Sequence, residues 1–232
     1  VCSVISLCFA LFLRSLAGSF VFIRQWRSNV LHASSSGAGD GLPYFMPVIS
    51  ELSMTASSQL SHPLRSQRLN QITHEPHSKL DALVKAHAPF ETRANFARFV
   101  VAQYLFQSEL VALYNDAELI AIVPDLAERC RAEAAKADLT DLDTEVPAPV
   151  AGAVSNPSKA EALGWIFVSE GSKLGAAFLI KRAVGLGLSE TFGARHLGEP
   201  AGGRAEGWKS FIKTLDGLTF SAEEEAAVEK GA

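Results

Sequence analysis

An all-α bundle is the fold class this sequence predicts, and three observations predict it. From Leu64 onward apolar residues recur at three- and four-residue spacing, the period of a helix buried along one face. No stretch alternates at the two-residue period of a half-buried strand. Of the 232 residues, 48% are hydrophobic and 20% charged, enough to bury a core and too apolar for disorder.

The elements follow in order. Leu69, Ile72, Leu80, Leu83 and Val84 give the first helical stripe. Thr73 is expected to cap this helix, with His74, Glu75 and Pro76 in its first turn, where proline costs no hydrogen bond. A second helix is expected over about 92–114, rich in aromatic residues, and a third over about 126–137, with charge on most faces. TDLDTEVPAPVAGAVSNP reads as a long loop. Ser158 caps the longest helix, about 159–185; a turn at 192–197 precedes a helix over 204–215. Ser221 opens SAEE, a capping box, and the helix it announces reads as cut short at Ala232.

The first 60 residues differ in character. Residues 1–13 and 19–23 are apolar around Arg14, SSSGAGDG (34–41) has linker composition, and Met54 opens the polar segment MTASSQLS. The expected organisation is an extension over 1–60, with residues 1–53 upstream of a natural start at Met54, and one domain over 61–232. A membrane anchor or secretory signal is the alternative for the apolar stretch. A net charge of −4 offers no global attraction to nucleic acid or anionic lipid. Cys2, Cys8 and Cys130 form no CxxC pair, which excludes a disulfide scaffold or thiolate zinc site and suits the cytoplasm.

Two stretches carry chemistry. His77 shares its helix face with Leu80 and Val84, so its imidazole is expected to point into the apolar interior, the setting of a haem iron's axial ligand. Taken alone, that helix reads more readily as carrying an ordinary core or surface histidine. His196 follows Arg195 in a turn and is either polar packing or a support to a site. In the longest helix Gly164, Val168, Gly171, Gly175, Phe178 and Arg182 form one stripe. A helical glycine is less favourable than alanine by about 1 kcal/mol, so three on one face need a reason. Close approach of another helix is one; a flat ligand against bare backbone, flanked by Val168 and Phe178, is the other.

Together these stretches resemble the bacterial haem oxygenases, in particular those of proteobacterial iron-acquisition and bacteriophytochrome operons. The resemblance is carried by LRSQRLNQITHEPHSKLDALVKA (64–86), NFARFVVAQYLFQ (95–107), EALGWIFVSEGSKLGAAFL (161–179), FGARHL (192–197) and GRAEGWKSF (203–211). It implies a helical bundle holding haem between a proximal helix with His77 as iron ligand and a distal helix with Gly171 and Gly175. It also implies oxidative opening of haem to biliverdin, with dioxygen consumed and CO and ferrous iron released.

In that frame Phe167, Val168 and Phe178 flank the ring. Lys85, Lys181 and Arg182 are the candidates for the two propionates, and Asn70 for seating the haem in its plane. Arg182 departs from the lysine of close relatives. Ordered water is expected to be held by groups such as Arg93, Asn95 or Arg195, among which the sequence does not choose. The longest helix has no histidine, and a distal acid–base histidine would favour O–O cleavage. No GxGxxG follows a strand, so electrons are expected from a separate reductase or ferredoxin. The rival readings are a non-catalytic haem carrier or sensor, a thiaminase-type enzyme built on Cys130, and an interaction-only bundle.

Overall fold

A computed structural model describes residues 63–149 and 154–232. The expectations for the extension and its apolar stretch fall outside the described residues. Seven α-helices make up the described chain: α1 (Arg65–Ala86), α2 (Arg93–Tyr114), α3 (Ala117–Ile122), α4 (Ala132–Asp141), α5 (Lys159–Val184), α6 (Arg204–Gly217) and α7 (Ala222–Gly231). Two 3-10 turns, Ala127–Arg129 and Arg195–Leu197, link them. Among the described residues there is no strand, only isolated bridges from Ser189 to Phe192 and Gly193. The all-α expectation holds.

α1 starts eight residues before Thr73, which corrects the expected cap. Leu64 takes the cap position, its N–H donating to Gln67 Oε1 at 3.1 Å, and Thr73 Oγ1 donates back to the Leu69 carbonyl at 2.7 Å inside the helix. The amides of a first turn need outside acceptors, and those at Thr73 already have helical ones. Pro76 therefore lies inside α1 and removes one rung of its ladder. The front of α1 is clamped: buried Arg65 donates to Glu225 Oε1 at 2.6 Å and to the Leu218 carbonyl at 3.0 Å, and lies over the Phe220 ring. Ser66 binds Asp216 through its amide at 2.8 Å and its hydroxyl at 2.7 Å. Beyond Leu69, α1 has no buried residue.

α2 supplies most of the core, including Phe96, Val100, Leu110 and Tyr114 with no exposure. Thr92 caps it, accepting the Asn95 amide at 3.1 Å. The expected helix over 126–137 is broken: Cys130 is extended, and the Arg131 amide donates to Gln107 Oε1 at 3.3 Å. That side-chain acceptor stands in for a helical carbonyl. α3 spans fewer than two turns, too few for a period to show, and Asp116 caps it.

α5 begins at the expected cap, Ser158, whose hydroxyl accepts the Glu161 amide at 3.2 Å. It lies through the middle of the bundle with Leu163 and Ile166 fully buried. α7 carries the expected capping box, with Ser221 N–H to Glu224 Oε2 at 2.8 Å and Glu224 N–H to Ser221 Oγ at 3.2 Å. It packs backbone to backbone on α5 at Gly164 and Gly231, where an added methyl would collide with the carbonyls of Val228 and Glu161 respectively.

Candidate active site

Between the free length of α1 and the exposed face of α5 lies a cleft of about 580 Å³. Asn70, His77, Leu80 and Val84 line one wall; Phe167, Val168, Gly171, Gly175 and Leu179 line the other. α2 contributes Phe99, Phe106 and Gln107, and Trp208 of α6 borders it. The volume falls within the range of about 300–1,000 Å³ usual for sites that bury a sizeable organic ligand. His77 is exposed to this open cleft and not sunk in an apolar interior as expected, because the opposing wall carries glycines. Its side chain makes no hydrogen bond within the described residues.

The glycine stripe divides. Gly164 is a packing position against α7. A methyl at Gly171 would meet the Trp208 ring at 3.5 Å, ordinary contact. One at Gly175 would meet nothing within 4 Å. Close helix packing therefore does not account for Gly175, which bares backbone to the cleft.

Four predicted residues lie outside the cleft lining. Phe178 is 72% exposed. Lys85 pairs with Asp81 at 2.6 Å, one turn back on α1. Lys181 is exposed, and the Arg182 guanidinium stands 4.4 Å from the centre of the Phe90 ring. Phe90 lies in the loop between α1 and α2, so the C-terminal end of α5, with Arg182, reaches that loop.

The three alternative candidates for holding water are all employed elsewhere. Arg93 donates to the Leu186 and Gly187 carbonyls at 2.8 and 3.2 Å. Asn95 donates to the Ala88 carbonyl at 3.0 Å, and Arg195 pairs with Asp138 and Asp141. They tie loops to helices.

Other polar groups border the cleft instead. Arg131 Nη2 donates to the Gly198 carbonyl at 3.2 Å, while its buried Nε has no partner among the described residues. Burial pulls this guanidinium below its ordinary pKa, against the pull of Glu170. Nothing in the charged segment around Cys130 signals that Arg131 turns inward.

Beneath α5, Glu170 is 4% exposed and accepts from Tyr114 Oη at 2.8 Å, Arg129 Nη1 at 3.1 Å and Lys173 Nζ. Burial, then the Glu170 charge, push the Tyr114 pKa well above its ordinary value. A phenol has one proton to give, and here it goes to Glu170. Ser169 must then donate to Tyr114 at 2.7 Å, and Gln107 Nε2 to Ser169 at 3.1 Å. The chain of donors has one direction, and it fixes Gln107 at the cleft wall with a second amide proton unspent among the described residues.

Residues 64–232 match the family model described as Heme oxygenase. The chain belongs to the haem oxygenase family. It is 58% identical over 170 residues to the haem oxygenase PigA of Pseudomonas aeruginosa, a match that covers 73% of this chain and 86% of that protein. It shares its fold with the NO- and CO-bound haem oxygenase of Neisseria meningitidis, with a TM-score of 0.68 and 34% identity, over 72% of this chain and 84% of that one. The resemblance read from the sequence is borne out: this is a haem oxygenase, an enzyme acting on haem, on the all-α fold of its structural relative. The thiaminase and interaction-only readings fall. The cleft fits its substrate, since an unengaged imidazole on one wall opposes bare glycine backbone on the other.

Proposed function

We propose that this haem oxygenase opens haem to biliverdin in the cytoplasm, with His77 as axial ligand and electrons from a separate reductase or ferredoxin. The observation that carries the reading is the pairing across the cleft. Among the described residues the His77 side chain has no hydrogen-bond partner, and a methyl added at Gly175 on the other wall would meet no neighbour within 4 Å. When bound, haem supplies the iron that activates dioxygen and the ring that is opened, releasing CO and ferrous iron.

The chain's own residues do the rest. His77 would hold the haem iron through one ring nitrogen, with the glycine-bearing wall of α5 on the other side of the cleft. Gly171 and Gly175 would let that wall approach a flat ring without a side chain between. Phe167 and Val168 bound the ring's position from the same helix, and Asn70, one wall over and two turns before His77, sets how the ring is seated. Lys85, Lys181 and Arg182 are the cations for the propionates; Arg182 is already held over Phe90. The Gln107–Ser169–Tyr114–Glu170 chain holds the distal wall stiff, so protons reach the cleft through water held by fixed groups.

The test is haemin added to the purified chain, its spectrum recorded, and an electron donor then supplied in air. A haem spectrum followed by a green bilin is expected. His77→Ala should fold as before but lose the axial-nitrogen spectrum and the bilin. Full turnover in His77→Ala with loss in His74→Ala would move the ligand to His74.

A further inference from the structure

His196 sits in the 3-10 turn Arg195–Leu197 and borders the same cleft, with its side chain 4% exposed. Its Nδ1 lies 2.7 Å from Asp138 Oδ2. Asp138 is fully buried and already accepts the amides of Arg195 and His196, each at 2.8 Å, and the Arg195 guanidinium. A carboxylate serving so many donors accepts from Nδ1 as well, so the network assigns the imidazole proton to Nδ1. In the neutral imidazole Nε2 then carries the lone pair. It is buried, and it has no hydrogen-bond partner among the described residues.

Buried polar atoms are nearly always paired, so an orphan on a cleft wall needs an account. Phe96 and Phe99, with ring centres each 6.2 Å from the imidazole, offer it no donor. The remaining source is what fills the cleft. We propose that His196, oriented by Asp138, is a positioning residue whose Nε2 accepts a hydrogen bond from a water molecule in the cleft and so fixes where that water points. The inference rests on the haem reading of the cleft. In this role Nε2 accepts and does not donate, so His196 orders the water without acting as the acid that cleaves O–O. The role left vacant by Arg93, Asn95 and Arg195 thus passes to a group the cleft does contain.

Two variants separate this from a structural role. In His196→Asn the side-chain amide reaches the Nδ1 position and can still donate to Asp138, but nothing reaches Nε2. In His196→Gln an acceptor oxygen reaches toward Nε2. Nitrogen-15 spectra of the haem-free chain should show His196 protonated at Nδ1 only. Adding zinc protoporphyrin, a diamagnetic stand-in for haem, should move the Nε2 resonance more than Nδ1. His196→Asn should melt as the unaltered chain does and bind zinc protoporphyrin within about twofold. Yet it should turn haem over about tenfold more slowly or worse, on the scale of lost proton-handling groups, with KM unchanged and more hydrogen peroxide released per electron. His196→Gln should recover part of the rate.

A proton on Nε2, an Nε2 resonance indifferent to porphyrin, or normal turnover in His196→Asn would each overturn the proposal while leaving the haem reading intact. Failure of the unaltered chain to bind zinc protoporphyrin would overturn both.

Discussion

Gly175 and Gly171 stand one turn apart on α5, yet only one of them touches a neighbour. An added side chain at Gly175 enters empty cleft, so Gly175→Leu should leave the haem-free protein as stable as before, or more stable by up to about 1 kcal/mol from helix propensity. Its cost should fall on haem: weaker binding, or oxidation at a different ring carbon. Thermal midpoints with and without haem, together with the product isomer, decide the matter. A large loss without haem beside normal turnover would return Gly175 to a packing role. His77 and these glycines were legible in the sequence because three- and four-residue spacing puts His77 on one face of α1 and the glycines on one face of α5. Arg131 and His196 were not. They reach the cleft from a broken helix and a short turn, and their direction depends on partners at Gly198 and Asp138 that no spacing reveals.

At the scale of elements, the same helix shows the opposite behaviour three turns earlier. Gly164 lies against the α7 backbone, where an added methyl would also stand 2.9 Å from the Ala232 nitrogen. Backbone cannot swing aside as a side chain can, so Gly164→Ala should separate α5 from α7 and destabilise the fold by about 1–3 kcal/mol, haem or no haem. Urea denaturation of the two forms checks it, and an unchanged midpoint would refute the close packing. The stripe was read as one face with two explanations: close helix packing accounts for Gly164, and Gly175 borders a cleft where the flat-ligand reading is the one proposed, because the helix passes from a neighbour to a cleft along its length. The start of α1 was misread for a related reason. Thr73, His74 and Pro76 mimic an N-terminus locally, but Arg65 and Ser66 anchor the chain two turns earlier through α6 and α7, contacts roughly 150 residues distant in sequence.

For the whole molecule, every described residue lining the cleft lies between Asn70 and Trp208, so a chain begun at Met54 should keep haem binding and turnover. Titration with haemin tests this, and loss of binding would give the extension a part in the site. The response of the fold to pH is set by the buried polar core. Burial and the Glu170 charge raise the Tyr114 pKa above the unfolded value of about 10. The folded state thus holds the phenol proton more tightly, so this contribution is complete below pH ~10 and is lost as pH rises toward the folded pKa. Lys173 works the other way: burial pulls its pKa down, so its contribution grows as pH rises through the window below its unfolded value. The unaltered chain sums the two, and Tyr114→Phe separates them. That variant leaves Ser169 without its acceptor and Glu170 short of a donor, a loss of about 1–3 kcal/mol at neutral pH. Because the phenol is gone, the gap between the two proteins should narrow above pH 10. Denaturation midpoints of both between pH 7 and 11 measure that gap, and a gap that stayed constant across the range would show that Tyr114 does not carry the alkaline limb.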